Sequence, residues 1–122
     1  MKKILIVDDE MEVRRLVEVT LRTGSYKILQ AEDGKKAIEI AKEEKPDLIL
    51  MDVMMGGDRD GIEATKALKN DPETKNCTVI ILTAKGQEQD KKAGFDAGAD
   101  DYFVKPFSPL ELIKKIEEVL GS

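Results

Sequence analysis

Acidic residues, a threonine and a lysine stand where apolar runs end, and that placement is the first sign of chemistry in this chain. Asp8 and Asp9 follow Lys3-Ile4-Leu5-Ile6-Val7, and Asp52 follows Leu48-Ile49-Leu50-Met51. Thr83 closes Thr78-Val79-Ile80-Ile81-Leu82, and Lys105 closes Tyr102-Phe103-Val104. Carboxylates held a few ångströms apart repel unless something neutralises them. An all-oxygen site with open positions suits a hard divalent cation, Mg²⁺ or Mn²⁺. A cation on one flank and an ammonium such as Lys105 on the other would suit a phosphoryl group. The chain has no histidine, so histidine bases, Ser-His triads and ordinary zinc sites are all excluded.

Each residue also has a plainer reading. An aspartate pair after a strand can cap the next helix. Asp52 could sit in a turn, although a stray charge beside so apolar a run would be costly. Thr83 is an ordinary β-branched strand terminus, and Tyr102 could be mere packing.

The elements that must position these residues follow from periodicity. The runs 3–7, 48–51 and 78–83 read as strands buried on both faces, as in the middle of a parallel sheet. The stretch 26–31 is more polar and reads as an edge strand, and Pro46 is expected to open the strand that ends at Asp52. Helical spacing links Val13, Leu16, Val17, Thr20 and Leu21, and then Ala37, Ile38 and Ala41 behind a cap at Asp33. Residues 56–61 read as a loop before a helix carrying Ile62, Ala64, Ala67 and Leu68. A weak helix over 87–97 contains Gly94. Ser108, Pro109 and Glu111 form a capping box ahead of Leu112, Ile113, Ile116, Val119 and Leu120.

Five strand–helix units predict an α/β fold, a five-stranded parallel sheet with helices on both faces. Such a (βα)5 domain, doubly wound and flavodoxin-like, takes the order 2-1-3-4-5, although the pattern alone does not fix that order. In it the first and third strands are neighbours, so Asp8, Asp9 and Asp52 converge.

At 122 residues the chain reads as a single domain over 1–122. Twenty-five acids against twenty bases leave a net charge of -5, which argues against direct nucleic-acid binding. No apolar run approaches the roughly 18 residues of a membrane span, so no membrane insertion is expected and a cytoplasmic location follows by default. The single Cys77 fits a reducing compartment.

Asp8-Asp9, the Asp52 of Leu50-Met51-Asp52-Val53-Met54-Met55, Thr83-Ala84-Lys85 and Lys105-Pro106-Phe107 together resemble the receiver domain of two-component response regulators. The resemblance runs from Lys2 to Leu120. It implies that Asp52 is the phosphoacceptor, taking a phosphoryl group from a sensor histidine kinase or phosphotransfer protein. It implies that Asp8, Asp9, Asp52 and the backbone carbonyl of Met54 hold Mg²⁺, and that Lys105, Thr83 and Ala84 contact the phosphate. Tyr102 would turn inward behind Thr83, the Lys105-Pro106 bond would be cis, and the fourth helix, fifth strand and fifth helix would face a downstream target. The chain would then be a signalling switch rather than a metabolic enzyme.

The sequence departs from the family after Asp52. A loop usually reading Met-Pro-Gly-Met-Asp-Gly is here Met55-Gly56-Gly57-Asp58-Arg59-Asp60-Gly61, with no proline and one added residue. Three rivals carry weight. A phosphatase of the haloacid-dehalogenase type needs an aspartate where Met54 stands. A flavin module would meet repulsion between Asp8-Asp9-Glu10 and the flavin phosphate. A receiver belonging to a longer regulator would use the same chemistry.

Overall fold

The apolar runs become the inner strands of one sheet. The computed structural model describes residues 1–55 and 60–121. Along the chain come β1 (Lys2–Val7), α1 (Met11–Leu21), β2 (Tyr26–Ala31), α2 (Gly34–Glu44) and β3 (Leu48–Asp52). They are followed by α3 (Asp60–Asn70), β4 (Thr78–Ala84), α4 (Glu88–Asp96), β5 (Asp101–Lys105) and α5 (Pro109–Leu120). All pairings are parallel, and the order is β2-β1-β3-β4-β5, as expected.

Side chains alternate between two cores, because successive strand residues face opposite ways. Leu5, Val7, Ile49, Met51, Val79 and Ile81 pack with Ala37 and Ala41 of α2 and Ala64 and Leu68 of α3. Ile4, Ile6, Leu48, Leu50, Ile80 and Leu82 pack with Val17 and Leu21 of α1 and Leu112 and Ile116 of α5. Among the described residues, ten of the twelve largest fully buried side chains lie on β1, β3 and β4. Each such side chain contributes roughly 1.5–3 kcal/mol by leaving water. The centre of the sheet is therefore the rigid part, and the ends of these strands are fixed in space.

Local signals behave as their chemistry dictates. Asp33 accepts the Lys36 amide at the start of α2, and Ser108 and Glu111 form both halves of the capping box of α5. β2 lies at an edge and is half-buried along most of its length. Gly94 lets α4 lie close to the sheet, since a Cβ there would sit 2.1 Å from Ile81 Cδ1.

Several expectations need correction. β3 begins at Leu48, not Pro46; Asp47 just before it bonds Lys3 and Thr78 through its backbone, and its carboxylate accepts the Lys3 amide at 2.8 Å. Asp60 and Gly61, expected in a loop, open α3. Leu16, expected in the buried stripe of α1, is 48% exposed, and Ala67 of α3 is exposed. Only the line Val13, Val17 and Leu21, spaced four apart, meets the sheet core, so the buried face of α1 is narrower than its apolar pattern. The added residue and missing proline fall at 56–59, outside the described residues. Among the described residues, no helix is long and apolar enough to cross a membrane.

Candidate functional site

Asp8 lies one residue past β1 and is fully buried. Its amide donates to the Ala31 carbonyl at 3.2 Å, which extends the β1–β2 contact by one residue. Its Oδ1 accepts the Glu10 amide at 3.0 Å, and its Oδ2 accepts Lys105 Nζ at 3.1 Å. The N-cap of α1 is Glu10, and no side chain caps it. The helix-cap reading of Asp8-Asp9 is therefore not what the chain does. Instead, carboxylate oxygens of Asp8, Asp9 and Glu10 gather within 4.8 Å of one another.

Asp52 is the last residue of β3 and 6% exposed, with Lys105 Nζ 3.4 Å from its Oδ1. Burial pushes its carboxyl up to about 7; the Asp8 charge adds to the shift, Lys105 opposes it and Asp9 raises it further. Burial alone would pull the Lys105 ammonium down, but Asp52 and Asp8 outweigh it and hold the group above its ordinary range. Asp52 thus feels both other aspartates, as their convergence at neighbouring strand ends requires.

These groups open onto a cavity of about 360 Å³ whose lining includes Glu10, Asp52, Met54, Ala84, Asp90 and Lys105. Met54 is 46% exposed at its edge. Thr83 is buried, and alternation with Val79 and Ile81 places its side chain on the α4 side of the sheet. Tyr102, beside Ile81 in the register, is half-buried against α4. Its ring meets Phe95 edge-on at 6.0 Å, and Lys91 Nζ stands 3.9 Å above it. The Lys105–Pro106 peptide is cis. The structure thus gathers Asp8, Asp9, Asp52, Met54, Ala84 and Lys105 at one edge, with Thr83 and Tyr102 behind it.

Three contributors escaped the sequence reading. Glu10 joins the carboxylates, and only its adjacency to Asp9 hinted at this. Asp90 is buried in the cavity wall, yet in sequence it is one more acid in the first turn of a helix, where acids are common. Gly61 presses on the site from outside: a Cβ there would lie 1.9 Å from the Asp52 carbonyl oxygen. Its amide donates to the Val53 carbonyl at 3.1 Å, and the neighbouring Asp60 carboxylate accepts the Gly34 amide at 2.7 Å. The start of α3 is thereby tied to the end of β3 and the start of α2.

The residues fit a divalent cation. Their donors are hard oxygens, and Asp8, Asp9, Glu10 and Asp52 carry more negative charge than the Lys105 ammonium offsets.

Fold and site together define an α/β domain whose charged groups collect outside the carboxyl ends of its strands. The model of the response regulator receiver domain matches residues 4–117, and the chain belongs to that family. It is 46% identical over 119 residues to the phosphate regulon transcriptional regulatory protein PhoB of Pseudomonas aeruginosa. That match covers 98% of this chain but 52% of PhoB, so the chain spans about half the length of that curated relative. Chemotaxis response regulator CheY4 of Vibrio cholerae superposes with a TM-score of 0.89 at 34% identity, covering 98% of each chain. The receiver domain of sensor histidine kinase PA1611 from Pseudomonas aeruginosa has a TM-score of 0.87 at 30% identity, covering 99% of this chain and 98% of that one. That domain was solved with a magnesium ion coordinated in its active site cleft.

Proposed function

We propose that residues 1–122 form a single receiver domain that accepts a phosphoryl group on Asp52. One observation carries this reading: a buried carboxylate at the cavity edge, pressed by Asp8 and in contact with Lys105. An oxygen of Asp52 attacks phosphorus, the new O–P bond forms, and the bond from phosphorus to the donor's leaving nitrogen or oxygen breaks. The ammonium of Lys105 balances charge on the transferred group. Thr83 and Ala84 hold its outer oxygens, and burial of Asp52 keeps water from the acyl phosphate. Tyr102 turns inward behind Thr83 once that hydroxyl moves.

Asp8, Asp9, Asp52 and the backbone carbonyl of Met54 are the residues that would hold Mg²⁺, or Mn²⁺ in its place. Such an ion neutralises negative charge on the phosphoryl group. The donor is a sensor histidine kinase or a phosphotransfer protein in the cytoplasm. The surface of α4, β5 and α5 answers to a downstream protein, without direct nucleic-acid contact or membrane insertion by this domain. The match to half of PhoB supports a second reading, in which the domain is the receiver portion of a longer regulator. Met54, which stands where a dehalogenase-type phosphatase needs its acid, opposes turnover on free phosphomonoesters.

Incubation with acetyl phosphate and Mg²⁺, followed by intact mass measurement, tests the proposal. The parent should gain one phosphate, lose the gain with EDTA, and lose it altogether as Asp52→Asn. Equal labelling of the variant contradicts the assignment.

A further inference from the structure

We infer that Arg14 is a positioning residue for the metal-binding turn, acting through the backbone of Asp8. The inference rests on the reading of Asp8, Asp9 and Asp52 as a divalent-cation site. Asp8 follows the last residue of β1, so its carbonyl lies beyond the β1 pairing register. Arg14 takes that carbonyl: Nη1 donates to Asp8 O at 2.6 Å. The same guanidinium donates through Nε to Gln30 Oε1 at 3.1 Å, and Gln30 in turn donates to the Glu18 carboxylate. Gln30 sits on β2 opposite Ile6, so its own position is fixed by the sheet. Arg14 thus spans two elements, with one arm on the turn and one on the edge strand.

Helix geometry explains the reach. Arg14 is in the first turn of α1, its amide bonded to the Glu10 carbonyl at 3.3 Å. Helical side chains lean toward the N-terminus, which here is the turn carrying Asp8, Asp9 and Glu10. With no side-chain cap on Glu10, this fork acts on the turn beside the Asp8 amide bond to Ala31, the Glu10 amide bond to Asp8 Oδ1 and the Lys105 bond to Oδ2. Only a planar group with several donors can serve both acceptors at fixed spacing.

The physics gives the two possible roles opposite signs. As a mere nearby cation, Arg14 would repel Mg²⁺, and its removal would tighten binding. As a clamp it holds Asp8 and Asp9 in the geometry the ion needs, and its removal weakens binding. Partners that orient metal ligands are worth about 10–100-fold in affinity.

The test is Mg²⁺ titration of the full chain, read by amide NMR shifts of Asp9 and Glu10, beside melting curves in EDTA. Arg14→Ala should weaken Mg²⁺ on the order of tenfold. Arg14→Lys should recover only part of this, and Gln30→Ala, which keeps the charge, should lose a few fold. Tighter or unchanged binding in Arg14→Ala, with or without a lower melting temperature, overturns the inference. Should Arg14→Ala not fold, unchanged binding in Gln30→Ala overturns it equally. A parent that binds no Mg²⁺ overturns the metal site itself, an outcome distinct from a parent that binds and variants that match it.

Discussion

Asp52 is held at a cost that burial sets, Asp8 and Asp9 increase and Lys105 partly relieves. Its folded carboxyl sits at about 7, above the ordinary value of 3.8. Between those values the native state keeps a proton that the unfolded chain gives up, so stability falls as pH rises across that window. Above it the penalty is complete. Asp52→Asn should therefore raise the melting temperature in EDTA, by more at about pH 8 than at about pH 5. Thermal melts at the two values check this, and an equal gain or a loss would show that the carboxylate is not strained. The meeting of Asp8, Asp52 and Lys105 was visible in sequence because each follows an apolar run whose end a parallel sheet must place. Glu10, Asp90 and Arg14 were not, because an acid or an arginine at the start of a helix has the same signature whether or not it serves a site.

Elements reach the site through close approach. Gly61 admits no Cβ because the Asp52 carbonyl lies in the way, and backbone cannot yield as a side-chain tip can. Gly61→Ala should destabilise by about 3 kcal/mol or more, and acetyl phosphate labelling should slow with it. Gly94 differs, since what it avoids is the Ile81 Cδ1 methyl. Ile81→Val removes that methyl, at about 0.5–1.5 kcal/mol alone. In the Gly94→Ala background the same change should cost less, or nothing, as urea unfolding of the four-member cycle would show. Additive effects would mean that α4 can shift away from β4. Neither glycine was interpretable beforehand: a sequence shows a helix breaker, not the atom it makes room for. The capping box of α5 was readable to the residue because its signal is local. The narrow buried face of α1 was not, because neighbouring elements decide how much of an apolar stripe is covered.

At the scale of the molecule, alternation and crossover handedness leave few orders for five parallel strands, and the structure takes β2-β1-β3-β4-β5. The site is then a consequence of the topology, with β1 and β3 adjacent and β4 and β5 completing one rim. Binding to the folded state alone stabilises it by mass action, about 2.7 kcal/mol when the ligand is at 100 times its Kd. Saturating Mg²⁺ should accordingly raise the melting temperature of the parent, and Asp9→Ala should lose most of that rise. Equal rises would remove Asp9 from the site. What α4, β5 and α5 present to a partner was legible only as far as the family resemblance carried it, since a receptive surface has no residue spacing of its own.

Several carboxylates crowd at one rim, and Asp52 alone among them is proposed to carry phosphate. Borohydride reduces an acyl phosphate to an alcohol and leaves free carboxylates untouched. Protein treated with acetyl phosphate and Mg²⁺, reduced and then mapped by peptide mass, should show homoserine at position 52 and aspartate at 8 and 9. Homoserine at 8 or 9, or a reduced product at Glu10 with Asp52 intact, would mean that another carboxylate takes the phosphate.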